Sequence, residues 1–213
     1  MDASQRTRIV RLIGFCVCAA AVTALAGVFM RLQIRWLRLT LTTLCNAANG
    51  GLALLWLRLS GRKLSLRFGG VRQYAIGVAV AAGLGVTIIL LPILCGTSLV
   101  GGHRDFVPWS AAFGFFNCFF VIGPVEELMF REYVQGEACE LFPKRRWIGV
   151  LLAGALFGAD HLINGFPAQA LFTFAIGCAF GFARAYWKGC TYLSVAFGHG
   201  LYDWLCELAT YFL

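Results

Sequence analysis

The sequence predicts an all-α fold, a polytopic bundle of about seven transmembrane helices. Three observations carry that expectation. Of the 213 residues, 60% are apolar and 13% are charged, whereas a soluble domain is roughly 45–50% apolar and about 25% charged. The mean hydropathy is +0.76. The apolar residues also gather in runs near the ~20 residues a spanning helix needs, without the period-two alternation of a β-barrel. Together these exclude a soluble enzyme, a disordered chain and a nucleic-acid-binding domain. The formal charge of +8 then belongs to loops beside an anionic cytoplasmic leaflet.

The runs are Ile9–Met30, Leu39–Leu57, Tyr74–Leu99, Trp109–Tyr133, Trp147–Ile163, Ala168–Trp187 and Tyr192–Leu213. The first follows Arg6, Arg8 and Arg11 and contains Ala24-Leu25-Ala26, which looks like a signal-peptidase site. Its apolar stretch is longer than that of a signal peptide, so it is read as a retained helix. The second contains Asn46 and Asn49 and is the weakest span. Trp36, Trp56, Trp109, Trp147 and Trp187 fall near the ends of runs, where indole rings prefer the headgroup layer. Trp204 lies inside the last one.

Basic residues cluster in alternate loops, from Arg6–Arg11, through Arg58–Arg72 and Lys144–Arg146, to Arg184 and Lys188. The opposite loops hold Arg31, Arg35, Arg38 and Arg104. The positive-inside rule therefore predicts a cytoplasmic N-terminus, in an integral protein of a bacterial inner membrane. The nine cysteines show no C-x-x-C pair and read as small buried hydrophobes. Residues 1–108 hold helices without a motif and residues 109–213 carry the motifs, within one integral membrane domain.

Ionisable groups are costly in hydrocarbon, so their clustering there points to function. Glu126, Glu127 and Arg131 lie late in the fourth run, just after Pro124. Glu127 and Arg131 are spaced i, i+4 and can pair, while Glu126 points about 100° away. Pro124 should bend the helix. Phe157 and His161 close the fifth run, and His199 and Asp203 share a face of the seventh. A carboxylate at Asp203 can fix the tautomer of His199. Converging, Glu126, His161, His199 and Asp203 would supply a base, two imidazoles and an acid. That set suits activation of water and stabilisation of an oxyanion, and equally a divalent metal. Gly154-x-x-x-Gly158 and Gly177-x-x-x-Gly181 speak only of close helix packing.

The ordered set EExxxR, FxxxH and HxxxD, each in a separate late run, resembles the CPBP family of CAAX prenyl endopeptidases and bacteriocin-processing or immunity membrane proteins, also called Abi. It rests on Glu126, Glu127, Arg131, Phe157, His161, His199 and Asp203, with Phe174 and Gly177 fitting a weaker FxxG motif. The resemblance covers about half the chain, from Trp109 onward. It implies a membrane-embedded peptidase in which Glu126 and His161 activate the water and His199 and Asp203 support the oxyanion. Glu127, Arg131 and Phe157 would be structural or substrate-orienting. Two departures stand out: Asp203 where the prenyl endopeptidases carry asparagine, and Glu132 where many members carry glycine. An ionised aspartate cannot donate to an oxyanion, though a protonated one can, and it can orient His199 instead.

The expected function is therefore an intramembrane endopeptidase of glutamate type that needs no cofactor. Its partners would be the lipid bilayer and a membrane-anchored protein or peptide, such as a CAAX-like tail, a leader peptide or a C-terminal sorting signal. The runner-up is a zinc protease with Glu126, His161 and His199 as ligands. A non-catalytic immunity or scaffold protein and a proton-coupled transporter are the readings from other classes. Depth fits imperfectly: Glu126 and His199 come out about 10 Å from the arginine-rich ends of their runs, but His161 about 20 Å from Trp147.

Overall fold

The computed structural model of the protein describes residues 3–68, 70–163 and 165–212, which form helices and no strands. Seven helical rods follow one another: α1 Ala3–Met30, α2 Arg35–Leu59, α3 Val71–Leu94, α4 Pro108–Leu141, α5 Arg146–Leu162, α6 Pro167–Tyr186 and α7 Tyr192–Ala209. Of these, α1, α3, α4 and α6 are long and apolar enough to cross a bilayer by themselves. Their outer faces carry Val10, Val17, Phe120 and Leu171, all more than 60% exposed. Such an apolar girdle suits acyl chains and not water, so the protein is an integral membrane protein. Leu213, the end of the seventh run, lies outside the described residues.

Two rods are not uniform. In α3 a π-helical stretch, Gly85–Leu90, precedes Pro92, and in α4 another, Cys118–Ile122, precedes Pro124. Proline has no N–H and its ring crowds the carbonyl one turn back. Widening the turn keeps the chain helical, with Gly123 N–H donating to Cys118 O. The bend expected at Pro124 thus takes the form of a π turn. A third such stretch, Leu128–Val134, carries Arg131.

The fourth rod also runs eight residues beyond the expected Tyr133, to Leu141. The polar residues that end its apolar run are satisfied inside the bundle. Gln135 Nε2 donates to Gly181 O at 3.0 Å, and the fully buried Glu137 takes Arg8 at 3.0 Å and Arg62 at 3.4 Å. This corrects the depth mismatch. Glu126 and His161 each stand fifteen residues from the arginine-rich ends of their helices, about 22 Å of helix. His199 stands close to the start of α7 because α7 begins deep in the bundle. Its cap is half-buried and fully paired: Ser194 N–H donates to Thr191 Oγ1, Thr191 N–H donates to Ser194 Oγ, and Thr191 Oγ1 donates to Gln73 Oε1 at 3.1 Å. Tyr192 OH donates to Pro124 O at 2.8 Å.

Glycines set the closest crossings. A Cβ on Gly154 would lie 2.7 Å from Cys178 Sγ, and one on Gly158 2.7 Å from Ala170 O, so α5 and α6 meet backbone to backbone. A Cβ on Gly123 would lie 2.8 Å from Ala196 O, and one on Gly200 2.7 Å from Cys118 O. The latter pair brings α4 onto α7, and with it the two glutamates onto His199. The motif-free helices α1 and α2 close the other flank through Phe15 against Tyr133, with ring centroids 4.5 Å apart, and through Leu57 in the same core.

Candidate active site

Four helices deliver the site. From α4 come Glu126, Glu127 and Arg131, from α5 Phe157 and His161, from α6 Phe180, and from α7 His199 and Asp203. Glu127 is the hub. Its Oε2 lies 3.0 Å from Arg131 Nε, and neither side chain is exposed. Its Oε1 lies 2.7 Å from His199 Nδ1. A carboxylate held by a guanidinium only accepts, so His199 Nδ1 carries a proton and donates it to Glu127. The other ring nitrogen, Nε2, faces two further carboxylates, Glu126 Oε2 at 3.5 Å and Asp203 Oδ2 at 3.6 Å.

Aromatic rings fix these groups in place. Phe180 stacks on the His199 ring with centroids 5.3 Å apart, and Phe157 meets it edge-on at 5.8 Å. The Arg131 guanidinium carbon sits 4.7 Å over the Phe157 ring, a cation–π contact in a dry place. Gly177 of the FxxG motif makes room for Phe157: a Cβ there would lie 2.9 Å from the ring. Phe157 also packs against His161, centroid to centroid 4.7 Å.

His161 Nδ1 lies 3.0 Å from Phe157 O. A carbonyl only accepts, so Nδ1 carries a proton, and in the neutral ring Nε2 offers its lone pair. Among the described residues no hydrogen bond or ion pair joins His161 to Glu126, although both lie within electrostatic range of Asp160 and Asp203. Nor do three histidine, cysteine or acidic side chains converge closely enough among the described residues to hold a metal ion.

The sequence placed the local pairs well. Glu127 and Arg131 do pair along one helix face, and His199 and Asp203 do face each other. Asp203 could orient His199 or, protonated, donate to an oxyanion; in the structure Glu127 takes Nδ1 and Asp203 faces Nε2. The Glu127–His199 contact spans 72 positions, so no spacing rule could reveal it. Phe180 carries no polar signal, and Asp160, beside His161, belongs to none of the three motifs. Glu132, the departure from glycine, pairs with Arg184 Nε at 2.7 Å and ties α4 to α6.

Residues 108–205 match the family model described as Rce1-like, type II CAAX prenyl endopeptidase Rce1-like. No curated protein and no solved structure matches the chain. The matched segment opens at the first residue of α4 and closes two residues after Asp203. It holds the hub glutamate, both histidines and every other residue of the three motifs. This match covers just under half of the chain and likens that segment to the CPBP family.

Proposed function

We propose that the protein is an intramembrane endopeptidase in which Glu126 is the general base on a water molecule. The match of residues 108–205 to a family of proteases supports the peptidase reading. The single observation that carries the mechanism is the contrast between the two neighbouring glutamates. Glu127 is neutralised by Arg131 and spent on His199, whereas Glu126 has no lysine or arginine partner among the described residues and is partly open, at 21% side-chain exposure. A base must reach water, and an orienter must not move.

In this reading the water lies between Glu126 and His161 Nε2, whose lone pair accepts a hydrogen bond from one of its protons, which stays on the oxygen. Glu126 removes the other as the water oxygen bonds to the scissile carbonyl carbon. The carbonyl electron pair moves onto its oxygen, which His199 Nε2–H and a protonated Asp203 stabilise. When the tetrahedral species collapses, the C–N bond breaks and Glu126 returns its proton to the leaving amine. The doubly protonated His199 ring that this step uses lies against the Glu127 and Glu126 carboxylates. No metal takes part. The substrate is a membrane-anchored protein or peptide. The arginine-rich end of the bundle faces the cytoplasm.

The test is cleavage of a co-expressed membrane substrate. Glu126→Gln keeps the shape and removes the base, so turnover should fall by about 10²-fold or more while the protein still inserts. A strong chelator should leave wild-type turnover within about twofold, because a zinc enzyme would lose its bound nucleophile. Near-normal turnover by Glu126→Gln removes Glu126 from the chemistry, and chelator sensitivity reversed by zinc replaces the mechanism with a metalloprotease.

A further inference from the structure

The proposed catalytic pair sits on two helices that do not touch through its own side chains. Something else must set the separation of Glu126 on α4 and His161 on α5. Beside His161 stands Asp160, a carboxylate in an otherwise apolar helix, with no lysine or arginine partner among the described residues. Its Oδ2 accepts from Thr23 Oγ1 on α1 at 3.5 Å. Thr23 Oγ1 in turn accepts from Asn49 Nδ2 on α2 at 3.3 Å, and Asn49 is buried. The residue after Asn49 is Gly50, where a Cβ would lie 3.2 Å from Val125 Cγ2. Val125 is the residue before Glu126.

The chain Asp160–Thr23–Asn49 therefore starts one residue from His161 and ends at Asn49, whose neighbour Gly50 packs close to Val125 beside Glu126, passing through two of the three helices outside the matched segment. We infer that Asp160 is a positioning residue for the hydrolytic reaction, strapped by Thr23 and Asn49 so that His161 stays in register with Glu126. The first two helices, which carry no motif, thereby become part of the catalytic apparatus. Two long hydrogen bonds add little stability to a bundle packed by aromatic and apolar side chains. They can set a distance nonetheless, and an error of about 1 Å in a reacting geometry can cost about 10²-fold in rate. The groups facing Asp160 are Thr23 and Cys16 from α1, Glu126 from α4 and its own neighbour His161.

This inference rests on the endopeptidase reading, and the experiment separates the two. Turnover and KM are measured on a membrane substrate that wild type cleaves and Glu126→Gln does not, alongside thermal unfolding in detergent. Thr23→Val and Asp160→Leu should each lower kcat by tens-fold, up to about 10²-fold, with KM unchanged. The double variant should be no slower than the slower single one, and in unfolding the two changes should be non-additive. Thr23→Ser and Asp160→Asn keep a donor and an acceptor in place and should retain most of kcat. Full turnover of folded Asp160→Leu overturns the inference while leaving Glu126 in its role. So does Asp160→Asn being as slow as Asp160→Leu, since charge and not position would then matter. If no substrate is cleaved by wild type, the endopeptidase reading fails first, and additive unfolding effects of Thr23→Val and Asp160→Leu dispose of the strap independently.

Discussion

Glu127 shows how much one side chain can do when it is dry. It neutralises Arg131, fixes the tautomer of His199 and has no exposed surface. Breaking a buried ion pair by removing one partner leaves an uncompensated charge and costs about 3–5 kcal/mol. Arg131→Ala should therefore lower the thermal midpoint in detergent well below wild type. The double change Glu127→Gln/Arg131→Met should recover part of the loss, because glutamine is neutral yet still accepts from His199 Nδ1. An Arg131→Ala protein as stable as wild type would mean that water reaches the pair. At this scale the sequence was legible where partners are a helical turn apart, as with Glu127 and Arg131 or His199 and Asp203. It was silent where they meet across helices, as with Glu127 and His199, or Arg8 and Glu137, because tertiary contacts leave no periodicity behind.

Helices position these groups through their glycines more than through their charges. Gly200 follows His199, and a Cβ there would lie 2.7 Å from Cys118 O and 3.0 Å from Phe119 Cα, both main-chain atoms that cannot rotate away. Gly200→Ala should push α7 off α4 and lengthen the Glu127–His199 contact without altering any reacting group. Turnover should fall by at least tenfold, since an error of about 1 Å can cost about 10²-fold. Gly83→Ala is the control. It lies within α3 with nothing within 4 Å of its Cβ position, and replacing a helical glycine there should leave activity intact and add about 0.5–1 kcal/mol. Equal turnover of both variants would show that α4 and α7 can part freely. The small-residue pairs of α5 and α6 read as a packing signal, and Gly154 and Gly158 do pack on Cys178 and Ala170. It missed the α4–α7 crossing because Gly123 and Gly200 sit on different helices and form no repeat. Helix ends failed for a related reason: hydropathy stopped α4 at Tyr133, while Gln135 and Glu137, satisfied by Gly181 and by Arg8 and Arg62, carry it to Leu141.

For the whole molecule, charge asymmetry and site depth meet in one measurable quantity, orientation. Arg8, Arg62, Arg146 and Arg184 gather toward one end of the bundle, along α4 from Glu132 to Leu141. His161 sits one residue from the far end of α5, and Thr23, which binds its neighbour, lies seven residues from the far end of α1. If the arginine-rich end is cytoplasmic, as the positive-inside rule requires, the catalytic half of the bundle lies toward the other surface. The protein carries its own reporter there. Cys95 follows α3 at that end and is exposed, whereas Cys139 near the arginines is half-buried. A membrane-impermeant maleimide added to intact cells should modify Cys95, read as a mass shift on its peptide, and Cys95→Ala should remove the signal. Modification of Cys95 only after the membrane is permeabilised would invert the molecule. The arginines would then face outward against the charge rule, and the chamber would open to the cytoplasm, where a lipidated C-terminal tail is made. The same labelling thus decides which class of substrate can meet Glu126 at all.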